Sequence, residues 1–238
     1  MNTVLFDLDG TLLPMDTQAF MEIYGRTLCA AFPELEPKPF LKAIFAGVDA
    51  MQENDGRKTN ALVFAETFQH LTGLDFSQLE DRFLQYYSTL FQSTVQACRP
   101  SDLARQITNT LLEKGYTVVI ATNPIFPRVA TYARLYWLGL DPRDFALVTT
   151  YEDSRTSKPN SAYFLEVCRR IGKTPEDCVH IGNNVHEDGA AREVGIPVML
   201  VEDCLINRRD LPMEGFWRGS LQDVLDWAKN LPSHERNS

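Results

Sequence analysis

Apolar residues recur along this chain with two different spacings. Near-unbroken runs at 4–8, 116–121, 145–150, 178–182 and 195–201 have the length and the Val, Ile and Leu content of buried strands. Elsewhere apolar residues fall three and four positions apart, the spacing of one helix face. Phe20, Ile23, Tyr24 and Leu28 form one such stripe from Asp16 on, and Leu41, Ile44, Phe45 and Val48 form a second within 40–50. Thr59 is placed to cap a third, which carries Leu62, Val63, Phe64, Phe68 and Leu71. A fourth begins near Ser77 and runs through Phe83, Leu84, Tyr87, Leu90 and Phe91. Residues 30–39 are broken by Pro33, Pro37 and Pro39 and read as a connection. Further on, 103–114, 128–138 and 161–171 are helical, each stopped by a glycine (Gly115, Gly139, Gly172). Residues 188–194 read as a short helix, 221–229 as the last firm one, and 231–238 as a polar, frayed end.

Strands alternating with helices predict a Rossmann-like, doubly wound α/β fold: a parallel sheet wrapped on both faces. One strand precedes the all-helical block and the other strands follow it. That order predicts an insertion, with 1–15 and 98–238 as the α/β core, 16–97 as a helical cap, and hinges at 12–16 and 99–100. The aromatic stripes of the block read as bundle core. In open parallel sheets ligands collect beyond the carboxyl ends of the strands. Asp7, Thr122, the loop before Lys158, and Asn183 each lie at such an end, so residues far apart in sequence are expected along one sheet edge.

The composition narrows the partners. The chain has 238 residues, 44% hydrophobic and 23% charged, enough for a core plus a smaller insert. Lys and Arg number 23 against 32 Asp and Glu, a net charge of −9 that argues against a nucleic-acid surface. An anionic small substrate still fits if the site supplies local cations. No run of about 18 apolar residues occurs, so no membrane partner is expected. No secretory leader is read at the start, and the five cysteines (Cys29, Cys98, Cys168, Cys178, Cys204) form no CxxC pair. They read as reduced thiols of a cytoplasmic protein.

The first strand contains the most informative polar residue. A carboxylate in a buried run is unfavourable unless paired or metal-bound. Asp7 and Asp9, two apart at a strand end, can converge if the chain turns after them, and Gly10 permits that turn. The string Phe6-Asp7-Leu8-Asp9-Gly10-Thr11-Leu12 resembles the first motif of the haloacid dehalogenase superfamily. The resemblance implies a Mg²⁺-dependent phosphoryl transfer in which Asp7 is the nucleophile, forming an aspartyl-phosphate, and Asp9 is the general acid and base. It also implies that Asp7 and the Asp9 carbonyl bind the metal. Ile120-Ala121-Thr122-Asn123 resembles the second motif, so Thr122 and Asn123 are expected on phosphate. Ser157-Lys158-Pro159 resembles the third, with Lys158 neutralising nucleophile and phosphate.

The fourth motif departs from the family. The frame Ile181-Gly182-Asn183-Asn184 is kept, but Asn183 stands at the first acidic position and Asp188 at the second. Asn offers an amide oxygen without charge, so weaker metal binding is expected there, with Asp188 either binding through water or holding Lys158. Glu187 is a possible compensating carboxylate, and His186 reads as a loop residue because Mg²⁺ prefers oxygen. The place of the insertion resembles the C1-cap subclass, which includes enzymes like phosphoglycolate phosphatase and β-phosphoglucomutase. The expectation is therefore a phosphohydrolase of small phosphorylated metabolites, monomeric or dimeric. A phosphomutase, or a non-catalytic binding protein weakened by Asn183, are the alternatives. Dehalogenation is disfavoured because Asp9 is present. Phosphonatase chemistry would need a cap lysine, for which Lys42 and Lys58 qualify by type only, and Arg57 or Lys58 are cap cations that could meet a substrate anion.

Overall fold

A computed structural model describes residues 1–234. Its sheet has six parallel strands: β1 (Thr3–Phe6), β2 (Thr117–Ile120), β3 (Leu147–Val148), β4 (Cys178–Gly182), β5 (Val198–Val201) and β6 (Trp217–Gly219). The order is β3-β2-β1-β4-β5-β6, with β1 between β2 and β4. Strand side chains alternate between two buried clusters. Val4, Phe6, Val118, Ile120, Val179 and Ile181 face one; Leu5, Val119, Cys178 and Leu200 face the other. Burial on both faces leaves no solvated side to the central strands, hence their near-continuous apolar runs.

Among the described residues eight α-helices flank and extend this sheet. Four fall between β1 and β2: α1 (Thr17–Ala31), α2 (Pro37–Gln52), α3 (Asn60–Thr72) and α4 (Glu80–Ser88), followed by a 3-10 stretch, Leu90–Ala97. The others are α5 (Asp102–Glu113), α6 (Arg128–Trp137), α7 (Ala162–Arg170) and α8 (Leu221–Asn230). The helical block shares its buried cluster with α5, α6 and α8 on one sheet face, while α7 packs on the other. Among the described residues no helix is long and apolar enough to cross a membrane.

Several element boundaries differ from the sequence reading, for local reasons. Pro37 does not end a connection but opens α2, where its missing N–H would be unpaired anyway. The fourth expected helix breaks at Thr89, whose backbone (φ −123°, ψ −88°) leaves the helical region. The strand expected at 145–150 shortens to Leu147–Val148, and the residues 188–194 form a 3-10 turn over Gly189–Val194. The edge strand β6 escaped the pattern because it is short and its first two residues are exposed. At the C-terminal end, 231–234 is tied down: the Lys114 ammonium donates to the Leu231 carbonyl (2.6 Å), and the His234 N–H to the Lys114 carbonyl (2.7 Å). Residues 235–238 of the expected frayed end lie outside the described residues.

Candidate active site

All four sequence motifs meet at one edge, beside a cleft of about 340 Å³. Asp7 follows β1, Thr122 follows β2, Lys158 lies on the loop after β3, and Asn183 follows β4. Asp7, Asp9, Thr122, Asn123, Asn183 and Asp188 line the cleft, with Phe20 of α1 and Phe126 supplying apolar walls. Two glycines make this crowding possible. Gly10 (φ +84°) turns the chain after Asp9, and a Cβ there would lie 2.2 Å from the Asn183 amide nitrogen. A Cβ on Gly182 would likewise lie 2.2 Å from the Asp188 carboxyl carbon.

Lys158 organises the buried charge. Its ammonium, 1% exposed, lies 2.9 Å from Asp7 Oδ1 and 2.7 Å from Asp188 Oδ1. His180 Nε2 adds a 2.8 Å contact to the same Asp188 oxygen, and the N–H groups of Asn183 (3.0 Å) and Asn184 (2.8 Å) donate to Oδ2. Burial alone would raise Asp188, but the Lys158 ammonium and the His180 contact outweigh it and hold the carboxyl well below the usual range. Burial pulls Lys158 down, and the carboxylates of Asp188 and Asp7 more than reverse that, keeping it protonated. His180 is lowered by burial, so it is neutral, with the proton on Nε2 that the carboxylate acceptor requires. Asp7 differs: burial pushes it up to about 7, with Lys158 opposing and Asp188 and Asp9 adding to the rise. The nucleophile candidate is thus less strongly held by the shared cation than Asp188 is.

Asp9 has a partner that the sequence reading missed. Arg134 of α6 is fully buried and forms an ion pair with Asp9 Oδ2. Its guanidinium also donates to the Ala130 carbonyl (3.2 Å) and the Thr131 hydroxyl (3.2 Å), and stacks 4.5 Å above Phe126. The other carboxylate oxygen, Asp9 Oδ1, is buried without a hydrogen bond. In sequence, Arg134 is one polar residue on a helical stripe, and nothing local marks it.

The remaining expected residues are placed as follows. Thr122 is buried beside the cleft, its carbonyl accepting from Thr149 (2.7 Å) and Tyr163 (2.9 Å), while its hydroxyl has no partner among the described residues. Asn123 donates to Glu187 (3.2 Å), and its own amide oxygen is unpaired. Burial raises Glu187. Asn183 accepts from the Thr11 hydroxyl (3.1 Å) and donates from Nδ2 to the Cys204 carbonyl (2.7 Å). The cap cations stand elsewhere. Arg57 pairs with Asp55 and Lys58 with Glu66 at the surface, and neither they nor Lys42 line the cleft.

The donor set can be tested against a hard divalent cation. Asp188 is saturated: each of its oxygens already has two donor contacts. The Thr11 hydroxyl has one proton but lies 3.0 Å from Asp7 Oδ2 and 3.1 Å from Asn183 Oδ1, so it satisfies one of them at a time. Together with the orphaned Asp9 Oδ1, this leaves oxygen acceptors short of donors at one end of the cleft. Among the described residues no three Asp, Glu, His or Cys side chains form a metal-holding group. Mg²⁺ fits such a site, because it is commonly held by one or two carboxylates with water and phosphate completing the shell.

Comparison with known proteins shows the family. The family model described as haloacid dehalogenase-like hydrolase matches residues 1–195. A phosphoglycolate phosphatase of Xylella fastidiosa strain Temecula1 is 30% identical over 213 residues, covering 89% of this chain and 84% of the relative. A pyrophosphatase PpaX of Bacillus cereus is 25% identical over 212 residues, covering 87% and 86%. Among solved structures, a hydrolase from Pseudomonas syringae superposes with a TM-score of 0.61 at 18% identity, over 98% of this chain and all of that one (100%). The fold, the motif order and these matches agree: the chain belongs to the haloacid dehalogenase-like hydrolases.

Proposed function

We propose that the chain hydrolyses small phosphate monoesters by phosphoryl transfer to Asp7, assisted by Mg²⁺. The observation that carries this reading is the placement of Asp7. Its carboxylate borders the cleft within 2.9 Å of the buried Lys158 ammonium, beside the unpaired Thr122 hydroxyl. The named relatives, a phosphoglycolate phosphatase and a pyrophosphatase, release phosphate by name and support the same class.

In this reading Thr122 orients the phosphate oxygens, and Lys158, buried against Asp7, offsets the charge of nucleophile and phosphate. An Asp7 oxygen bonds to phosphorus as the bond to the leaving oxygen breaks. Asp9 gives that oxygen its proton, then accepts one from the water that cleaves the aspartyl-phosphate and regenerates Asp7. Asp7, the Asp9 carbonyl and Asn183 would hold Mg²⁺, which when bound neutralises phosphate charge. Asp188 holds Lys158 and the loop after β4. The helical block 16–97 acts as a cap: Phe20 reaches the cleft from above the sheet edge and helps exclude water.

Hydrolysis of p-nitrophenyl phosphate with and without Mg²⁺, beside Asp7→Asn, tests this. Metal-dependent turnover lost by at least 10³-fold in the variant is expected, of the order seen when a nucleophile is removed (about 10³ or more). Equal rates for wild type and variant would rule out Asp7 as the nucleophile.

A further inference from the structure

The cleft is rich in carboxylates, and Asp7, Asp9, Glu187 and Asp188 all line it. The cations that line it are Arg208 and Arg209, neighbours on the loop between β5 and β6. Both are exposed, and neither has an ion pair or hydrogen bond among the described residues. The helical block sends Thr17, Phe20, Met21 and Gln52 to the cleft and no cation. Arg208 lies close enough to Glu187 to favour its charged form, yet neither guanidinium group is engaged in a hydrogen bond among the described residues, so both are available to an anion that enters the cleft.

Their loop is also built into the site. The Val185 N–H donates to the Ile206 carbonyl (2.9 Å) and the Ile206 N–H to the Asn183 carbonyl (2.8 Å). Asn183 Nδ2 donates to the Cys204 carbonyl (2.7 Å). Asn207 closes the turn beyond, donating to and accepting from the Leu211 backbone (2.9 Å each). Asn183 therefore does what an aspartate cannot: a carboxylate at that distance would set two acceptors against each other. The residue that departs from the family's motif ties the arginine loop to the nucleophile's loop.

We propose that Arg208 and Arg209 form a subsite for a second anionic group of the substrate, a carboxylate or a second phosphate, on a loop that Asn183 positions. The proposal rests on the phosphohydrolase reading above. The cleft volume, about 340 Å³, suits a small molecule with its two anionic ends a few bonds apart. The guanidinium forks match either anion bidentately.

The test compares three probes of similar size with Mg²⁺: phosphoglycolate, pyrophosphate and ethyl phosphate, whose tail is neutral. In the Arg208→Gln/Arg209→Gln double variant, kcat/KM for one of the charged probes is expected to fall about 10- to 100-fold relative to ethyl phosphate, mostly through KM. Which probe loses more tells whether the subsite takes carboxylate or phosphate. Equal losses on all three probes, or none, overturn the proposal. Calorimetric binding of phosphoglycolate and of pyrophosphate to Asp7→Asn, with and without the arginine changes, gives an arm independent of turnover. If no probe is hydrolysed, the phosphohydrolase reading fails, while arginine-dependent binding of either charged probe upholds the subsite and arginine-independent binding, or none, removes it. Asn183→Asp is expected to raise KM for the charged probe at least several-fold more than for ethyl phosphate. A uniform gain in kcat on all probes would instead mark position 183 as a missing metal carboxylate and refute its positioning role.

Discussion

At the scale of single residues, the site is a set of buried charges that each need a partner. Arg134 is the clearest case, because an unpaired buried guanidinium would be strongly destabilising. Its ion pair fixes one oxygen of Asp9 and leaves the other buried without a hydrogen bond. If Asp9 protonates the leaving oxygen, Arg134→Met should hurt most where that proton is needed. The expected loss in kcat/KM is about 100-fold on ethyl phosphate and about tenfold or less on p-nitrophenyl phosphate, whose leaving group departs without protonation. Arg134→Lys should recover part of the difference. Matching losses on both substrates would mean that Arg134 serves packing alone.

At the scale of elements, the helical block is joined to the core in two ways. The linkers at 12–16 and 99–100, read from sequence as the hinges, lie side by side and are joined by hydrogen bonds. Asp16 donates to the Ala97 carbonyl (2.9 Å) and Arg99 to the Pro14 carbonyl (2.7 Å), and Met15 bridges Cys98. The first turn of α3 is also docked on the core, its otherwise orphaned N–H groups donating to the Ser154 (2.8 Å) and Tyr151 (2.9 Å) carbonyls. The buried Asn60 amide completes the joint with bonds to the Pro124 carbonyl (3.0 Å) and the Ser157 hydroxyl (2.9 Å). Asn60→Ala should lower stability by about 1–3 kcal/mol, since several buried partners lose a bond. In that variant amide exchange should accelerate at positions 60 and 61 while β1 stays protected. Unchanged exchange at those two amides would show that the backbone bonds alone hold the joint.

At the scale of the whole molecule, the buried cluster makes stability depend on pH with two opposite signs. Asp188 titrates below its ordinary 3.8 in the folded state, so its contribution is present above that pH and lost on further acidification. Asp7 is raised from 3.8 to about 7, so between those values the folded state holds the extra proton and stability falls as pH rises. In chelated protein these two carboxyl contributions taken together peak at about pH 4, while His180, lowered from 6.5 by burial, adds a slope opposite to that of Asp7 below pH 6.5. Asp7→Asn removes the Asp7 slope only. Its urea midpoint should gain on the wild type steadily from pH 5 to 7.5, and a constant gap across that range would contradict the raised value.

What the sequence determined by itself was the layered fold and which residues gather at the candidate edge. Buried parallel strands announce themselves as short apolar runs, and Asp7 stood out because a carboxylate interrupts one. Thr122, Lys158 and Asn183 could be placed because a parallel sheet delivers every strand end to one side. The exposed β6, the break at Thr89 and the helix opened by Pro37 were not legible, because each depends on local geometry that hydrophobic period does not encode. Only tertiary structure decided the pairings. Arg134 meets Asp9 across 125 positions, Lys158 meets Asp7 across 151, and Thr11 meets Asn183 across 172. A charge on a helix stripe or a loop carries no mark of the distant carboxylate it will neutralise. Its partner is selected when the chain packs and desolvation makes the unpaired alternative too unfavourable to persist.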